Sequence, residues 1–194
     1  MPEAFKLGHL VSPGPPEPTF EAHAYGNLWM RQTIGPTERL ALAPDHAACG
    51  LIIDLTRPLA EPFGLLYVVL YPHFGHERGR YQAKTPLGRT SMERFFRDYA
   101  EFFEMDGRHN IWACSLEPDG RVAGQIIYDH HNIIYAYGPL EAYAEVAAAR
   151  GLVEGPVVVP RDHRHQFDPR YNRDESNLIN EREWITFPTE ESDY

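Results

Sequence analysis

Apolar residues fall along this chain in runs and stripes that alternate between two periods. Phe63 to Tyr71 reads FGLLYVVLY and is apolar at odd and even positions alike. A strand with both faces apolar belongs in the middle of a sheet, covered on each side. Further on, Met92, Phe95, Phe96, Tyr99, Phe102 and Phe103 recur at i, i+3, i+4 and i+7. That spacing predicts one helix with a bulky aromatic stripe facing the core. Thr90 followed by Glu93 predicts a capping box at its start, and Gly107 predicts a left-handed stop.

Downstream, the pattern is strand, turn, strand, turn, strand, helix, strand. Ile111–Leu116 (IWACSL) leads into a Pro118-Asp119-Gly120 turn, and Val122–Asp129 returns antiparallel. Asp129-His130-His131-Asn132 makes the next tip, with Asn132 suited to a left-handed backbone. Ile133–Tyr137 runs back, and Gly138-Pro139 opens a helix with Leu140, Tyr143, Ala144 and Ala147 on its buried side. Gly151 ends that helix, and Val157–Val159 reads as a short last strand. In the first part of the chain, His23–Thr33 and Cys49–Leu55 read as strands and Gly75–Gly88 as a loop. LLYVVLYP and IIYAYGP, each leading to a helix, form a faint internal echo. The expected fold is α+β: one mainly antiparallel sheet of about six or seven strands with two helices packed on it.

Three zones differ in character. Residues 1–22 carry Pro13, Pro15, Pro16 and Pro18 and read as an extended arm. Residues 23–188 form a single α+β domain, with Trp184 pinning the segment after Pro160 to the body. Residues 189–194 read as a mobile acidic tail.

Composition narrows the function classes. The formal charge is −10, from 28 acidic and 18 basic residues, and only Lys6 and Lys84 are lysines. Such a surface disfavours nucleic acid and suits a basic protein partner. No apolar run reaches the ~18 residues of a membrane span, and the N-terminus lacks a signal-peptide pattern, so the expectation is a cytoplasmic protein. Cys49 and Cys114 stand alone without CxxC spacing and read as reduced thiols.

Histidine is the candidate chemistry. Asp162, His163 and His165 form DHxH, a carboxylate with two imidazoles on one face of an extended segment, which suits a divalent transition metal such as zinc. His73 and His76 form HxxH, and His130 with Asp129 offers a second pair. Adjacent His130 and His131 would point to opposite faces of a regular strand, and so would not chelate together. The plainer reading of Asp129 and His130 is turn chemistry. No GxSxG, GxGxxG or P-loop pattern is present. Tyr135 and Tyr137 share one strand face and suit a partner surface.

From Tyr128 to Leu140, YDHHNIIYAYGPL resembles a segment of short bacterial proteins without assigned function, followed in them by a histidine-rich stretch like that at His163 and His165. The architecture also resembles immunity proteins of bacterial toxin systems. That likeness is one of architecture; the expected function, from the acidic charge and the tyrosine face, is a non-catalytic protein-binding role without cofactor, in which an acidic face occludes a basic toxin domain. Its contacts would be Asp129, His130, Tyr135, Tyr137, Asp174 and Glu175. The alternative is a metal-dependent enzyme or metal sensor built on the clustered histidines. A third reading is a homodimer paired through the tyrosine face.

Overall fold

A computed structural model describes residues 5–14, 17–72 and 75–193. The fold is α+β, but it is not one sheet with two helices. Among the described residues, twelve strands form two sheets, accompanied by five α-helices. The larger sheet has nine strands in the order β10-β3-β4-β9-β8-β7-β5-β6-β12. These are β3 (Leu28–Ile34), β4 (Thr37–Ala43), β5 (Phe63–Val69), β6 (Gly79–Ala83), β7 (His109–Leu116), β8 (Val122–Tyr128), β9 (Ile134–Tyr137), β10 (Val153–Glu154) and β12 (Trp184–Phe187). All neighbours are antiparallel except β10 and β3. The smaller sheet has the order β11-β1-β2, from β1 (Leu7–Ser12), β2 (Thr19–Ala22) and β11 (His163–His165).

The expected strand at Cys49–Leu55 is helix α1 (Ala48–Thr56). Seven of its nine residues are buried, so the run has no polar face to reveal its period. The aromatic stripe is core as expected, but the helix breaks at Tyr99 into α2 (Arg89–Asp98) and α3 (Ala100–Met105). Thr90 lies inside α2, whose cap position is Gly88. Gly107 is not left-handed. A Cβ there would meet the His165 Cβ at 2.8 Å and the Lys6 carbonyl at 2.9 Å, so glycine permits a close crossing. Helix α4 (Leu140–Ala149) follows Pro139, and α5 (Asn172–Asn180) was not foreseen.

The helices and the large sheet share one core. Leu40, Leu42, Phe63, Leu65, Tyr67, Ile111, Ala113, Ile126, Tyr128 and Ile134 point from the sheet into α1–α4. Burying side chains of this size contributes roughly 1.5–3 kcal/mol each. The opposite face of the sheet is covered only in part. Ala41 and Ala43 of β4, with Ile133, pack under Leu7, Tyr25 and Val157. Val157–Val159 is not a strand but an extended cover over this second core.

Both chain ends are drawn in. The segment read as an arm pairs β1 with β2 and with β11, so its extended backbone is hydrogen-bonded. The segment read as a mobile tail is anchored through Asp193, which is 1% exposed and accepts three hydrogen bonds from Arg80. Trp184 does hold its segment: its ring meets Tyr81 edge-on and β12 pairs with β6. No helix of the structure is long and apolar enough to cross a membrane.

Candidate metal centre

Three strand ends meet at one corner of the large sheet. β7 begins with His109 and Asn110, β8 ends at Tyr128, and β9 starts after Ile133. The β8–β9 turn is tight because Asn132 takes φ +64°, as its type allows. Asp129 closes the turn. Its Oδ1 accepts the backbone N–H groups of His131 and Ile133, both at 2.9 Å.

The small sheet brings histidines from both ends of the chain to this turn. β1 and β11 pair with His9 opposite His163 and Leu7 opposite His165. The rings of His130 and His131 lie 4.0 Å apart, His130 and His165 4.4 Å, and His131 and His165 5.0 Å. His163 is 5.2 Å from His131, and His23 meets His9 edge-on at 5.5 Å. Six of the ten histidines therefore belong to one neighbourhood. Within it, His130, His131 and His165 can each place a ring nitrogen within 4.8 Å of the other two.

The rings are oriented by oxygen acceptors. His130 Nδ1 lies 3.0 Å from Asn110 Oδ1, which also accepts the His130 backbone N–H at 2.8 Å. The orientation of the Asn110 amide is fixed from its other side, where Nδ2 donates to the Asp193 carbonyl at 2.7 Å. His131 Nδ1 lies 3.1 Å from Asp129 Oδ2, and His163 Nδ1 lies 2.7 Å from the Pro160 carbonyl. An oxygen acceptor requires that nitrogen to carry the proton, which leaves Nε2 of each ring as a lone-pair donor. His165 Nδ1 is shielded from solvent and has no partner.

Electrostatics keep two of the three rings, His130 and His165, neutral. Burial, reinforced by the neighbouring His131, pulls the pKa of His130 down to about 3 and that of His165 to about 4. Burial alone would raise the Asp129 carboxyl, but the His131 hydrogen bond and the nearby imidazoles hold it below its ordinary value. The result is an ionised Asp129 carboxylate near two neutral imidazoles, those of His130 and His165, and a metal ligand must be in that deprotonated form.

The centre stands at one end of a cleft of about 410 Å³. The cleft lies on the sheet face the small sheet leaves open. Trp112, Ile127, Tyr135 and Tyr137 line it, together with Arg39, and Ser192 and Asp193 form part of its wall.

The sequence-derived candidates divide accordingly. His165 joins the centre and His163 stands beside it, but Asp162 is exposed and offers only its backbone carbonyl, to Leu10. His130 and His131 come together because they sit on a turn, where the opposite-face rule of a strand does not apply. The tip that supplies two of the expected partner contacts is buried, with Asp129 8% and His130 5% exposed. Glu175 is also buried and pairs with Arg108 at 2.6 Å. Tyr135, Tyr137 and Asp174 are half-buried, so the six expected partner contacts form no common exposed face. Tyr128 points away from Tyr135, into the helical core. His73 of the HxxH pair lies outside the described residues, and His76 is bonded to Ser176 Oγ at 3.1 Å. Asn110 and Arg39 carried no local signal in the sequence, because their roles depend on strand pairing alone. The chain matches no protein-family model, no curated protein and no solved structure.

Proposed function

We propose that this protein holds a divalent transition-metal ion on His130, His131 and His165 and uses it on a small molecule bound in the adjoining cleft. The observation that supports this most directly is the pair of oxygen acceptors behind the rings. Asn110 Oδ1 and Asp129 Oδ2 each engage Nδ1, which leaves Nε2 of His130 and His131 free to bind an ion, and one ligand nitrogen from each of His130, His131 and His165 lies within 4.8 Å of the others. Carboxylate or carbonyl groups behind ligating histidines are a regular feature of metal centres. Three imidazoles suit zinc, iron, copper or nickel, and three protein ligands leave a coordination position open. His130 and His131 both line the cleft, so that position faces a prospective ligand. A metal there would polarise a bound carbonyl or acidify a bound water.

The test is metal content. Protein purified without a histidine tag, stripped with chelator and re-dialysed against zinc, is expected to retain about one equivalent by mass spectrometry. His130→Ala and His165→Ala should each lose it, and His46→Ala should not. Retention of no zinc, iron, cobalt or nickel at near-stoichiometric level would end this reading.

A further inference from the structure

We propose that the cleft takes a small organic carboxylate with a flat apolar body, its carboxylate held by Arg39 and Tyr137 and its other end reaching the histidine centre. Only the far end of this pose rests on the metal reading above. Arg39 extends from β4, beside β9, and its guanidinium lies 3.8 Å above the Tyr135 ring. Nε donates to Gln32 Oε1 at 2.9 Å and Nη1 donates to the Tyr137 hydroxyl at 2.8 Å. All three partners are neutral. Among the described residues, no carboxylate lies within ion-pair distance of Arg39.

The other charged groups of the cleft are already matched. Asp129 is committed to His131 and two backbone N–H groups, and Asp193 to Arg80. The cleft therefore holds one uncompensated cation inside a protein of net charge −10. The stacked ring and the two neutral hydrogen bonds fix the guanidinium plane, and among the described residues Nη2 has no protein acceptor. Because Tyr137 accepts from Arg39, its own proton is available to a ligand. Two adjacent donors, Nη2–H and the tyrosine O–H, match the two oxygens of a carboxylate. At the Arg39 end a phosphate dianion would call for a second cationic side chain, and none lines the cleft among the described residues. Trp112, Ile127 and Tyr135 supply a flat apolar floor for the body. The volume falls in the range of small-molecule sites.

Calorimetry on the zinc-loaded protein and on chelator-stripped protein tests this. The probes are benzoate, phenylacetate and 3-phenylpropionate, each against its neutral amide. At least one acid is expected to bind about tenfold or more tightly than its amide, a gap of ~1.4 kcal/mol. Arg39→Met should abolish that preference while zinc content and thermal unfolding stay as in the parent, and Tyr137→Phe should reduce it in part. Equal binding of acids and amides, binding of neither, or a preference that survives Arg39→Met overturns the proposal. An Arg39-dependent preference in protein that retains no zinc leaves the carboxylate subsite standing and removes the metal. Zinc retained without any acid preference does the reverse.

Discussion

Asp129→Asn tests the orientation of the centre with little disturbance of the fold. Asp129 makes three hydrogen bonds, two from backbone N–H groups through Oδ1 and one with His131 Nδ1 through Oδ2. Asparagine keeps a carbonyl oxygen for the two backbone donors but presents an NH₂ group to His131. His131 Nδ1 must then accept, so the proton moves to Nε2, the nitrogen needed by the metal. Losing a hydrogen bond to a charged group costs ~1.5–3 kcal/mol, and loss of an orienting partner weakens metal affinity by roughly 10–100-fold. The carboxylate's charge beside the cation is lost as well. Zinc affinity is therefore expected to fall by about 100-fold, or ~2.7 kcal/mol, while stability changes by only ~1 kcal/mol. Competition with a chromophoric chelator reads the first quantity and urea unfolding of metal-free protein reads the second. Asp129→Ala is the contrast: it leaves the His131 and Ile133 N–H groups unpaired and should destabilise the turn by ~2–4 kcal/mol. An Asp129→Asn protein that is folded and binds zinc within threefold of the parent would refute the claim that this carboxylate sets the tautomer.

Other perturbations give separate readouts. Lys6 is 1% exposed, donates to the Phe103 carbonyl at 3.0 Å, and is pulled by burial from 10.5 to about 8. Its folded pKa lies below its unfolded one, so the unfolded chain holds more protons between about pH 8 and 10.5 and this group's contribution to stability rises with pH there, by ~3 kcal/mol in all. Lys6→Met should add ~1–2 kcal/mol at pH 7, after the lost hydrogen bond is subtracted, and its advantage should shrink by pH 9.5. Taking the difference between the two proteins cancels Tyr128, whose raised pKa acts in the opposite direction at high pH; an advantage that grows with pH would contradict this. Gly107→Ala should cost ~1–3 kcal/mol by forcing His165 and the Lys6 backbone outward, and should weaken zinc binding as well, measured by thermal unfolding and chelator competition.

What could be read from sequence was whatever lay within one segment. The alternation-free run of β5 and the aromatic stripe of α2 and α3 announce themselves because period and burial are local properties. The turn at Asp129–Asn132 was legible for the same reason, through residue types that tolerate its backbone. α1 looks like a strand in sequence because a short helix buried nearly all round has no polar face to show its period. β4 and β6 escaped notice for different reasons. Leu40 to Ala43 are buried without alternation, and Gly79–Ala83 sits in a stretch rich in loop formers. The centre itself depends on β1 meeting β11, a pairing between opposite ends of the chain that no short window encodes. The histidine-rich stretch and the His130-His131 tip each stand out in the sequence, but nothing local to either shows that they meet.

The anchoring of Asp193 has a practical side. Its backbone carbonyl steadies Asn110, and its neighbour Ser192 borders the cleft. Any polypeptide continuing past this point would begin at the wall of the cleft. An affinity tag or fusion partner attached there would shade the opening and, if it contained imidazoles, would supply rival ligands of its own.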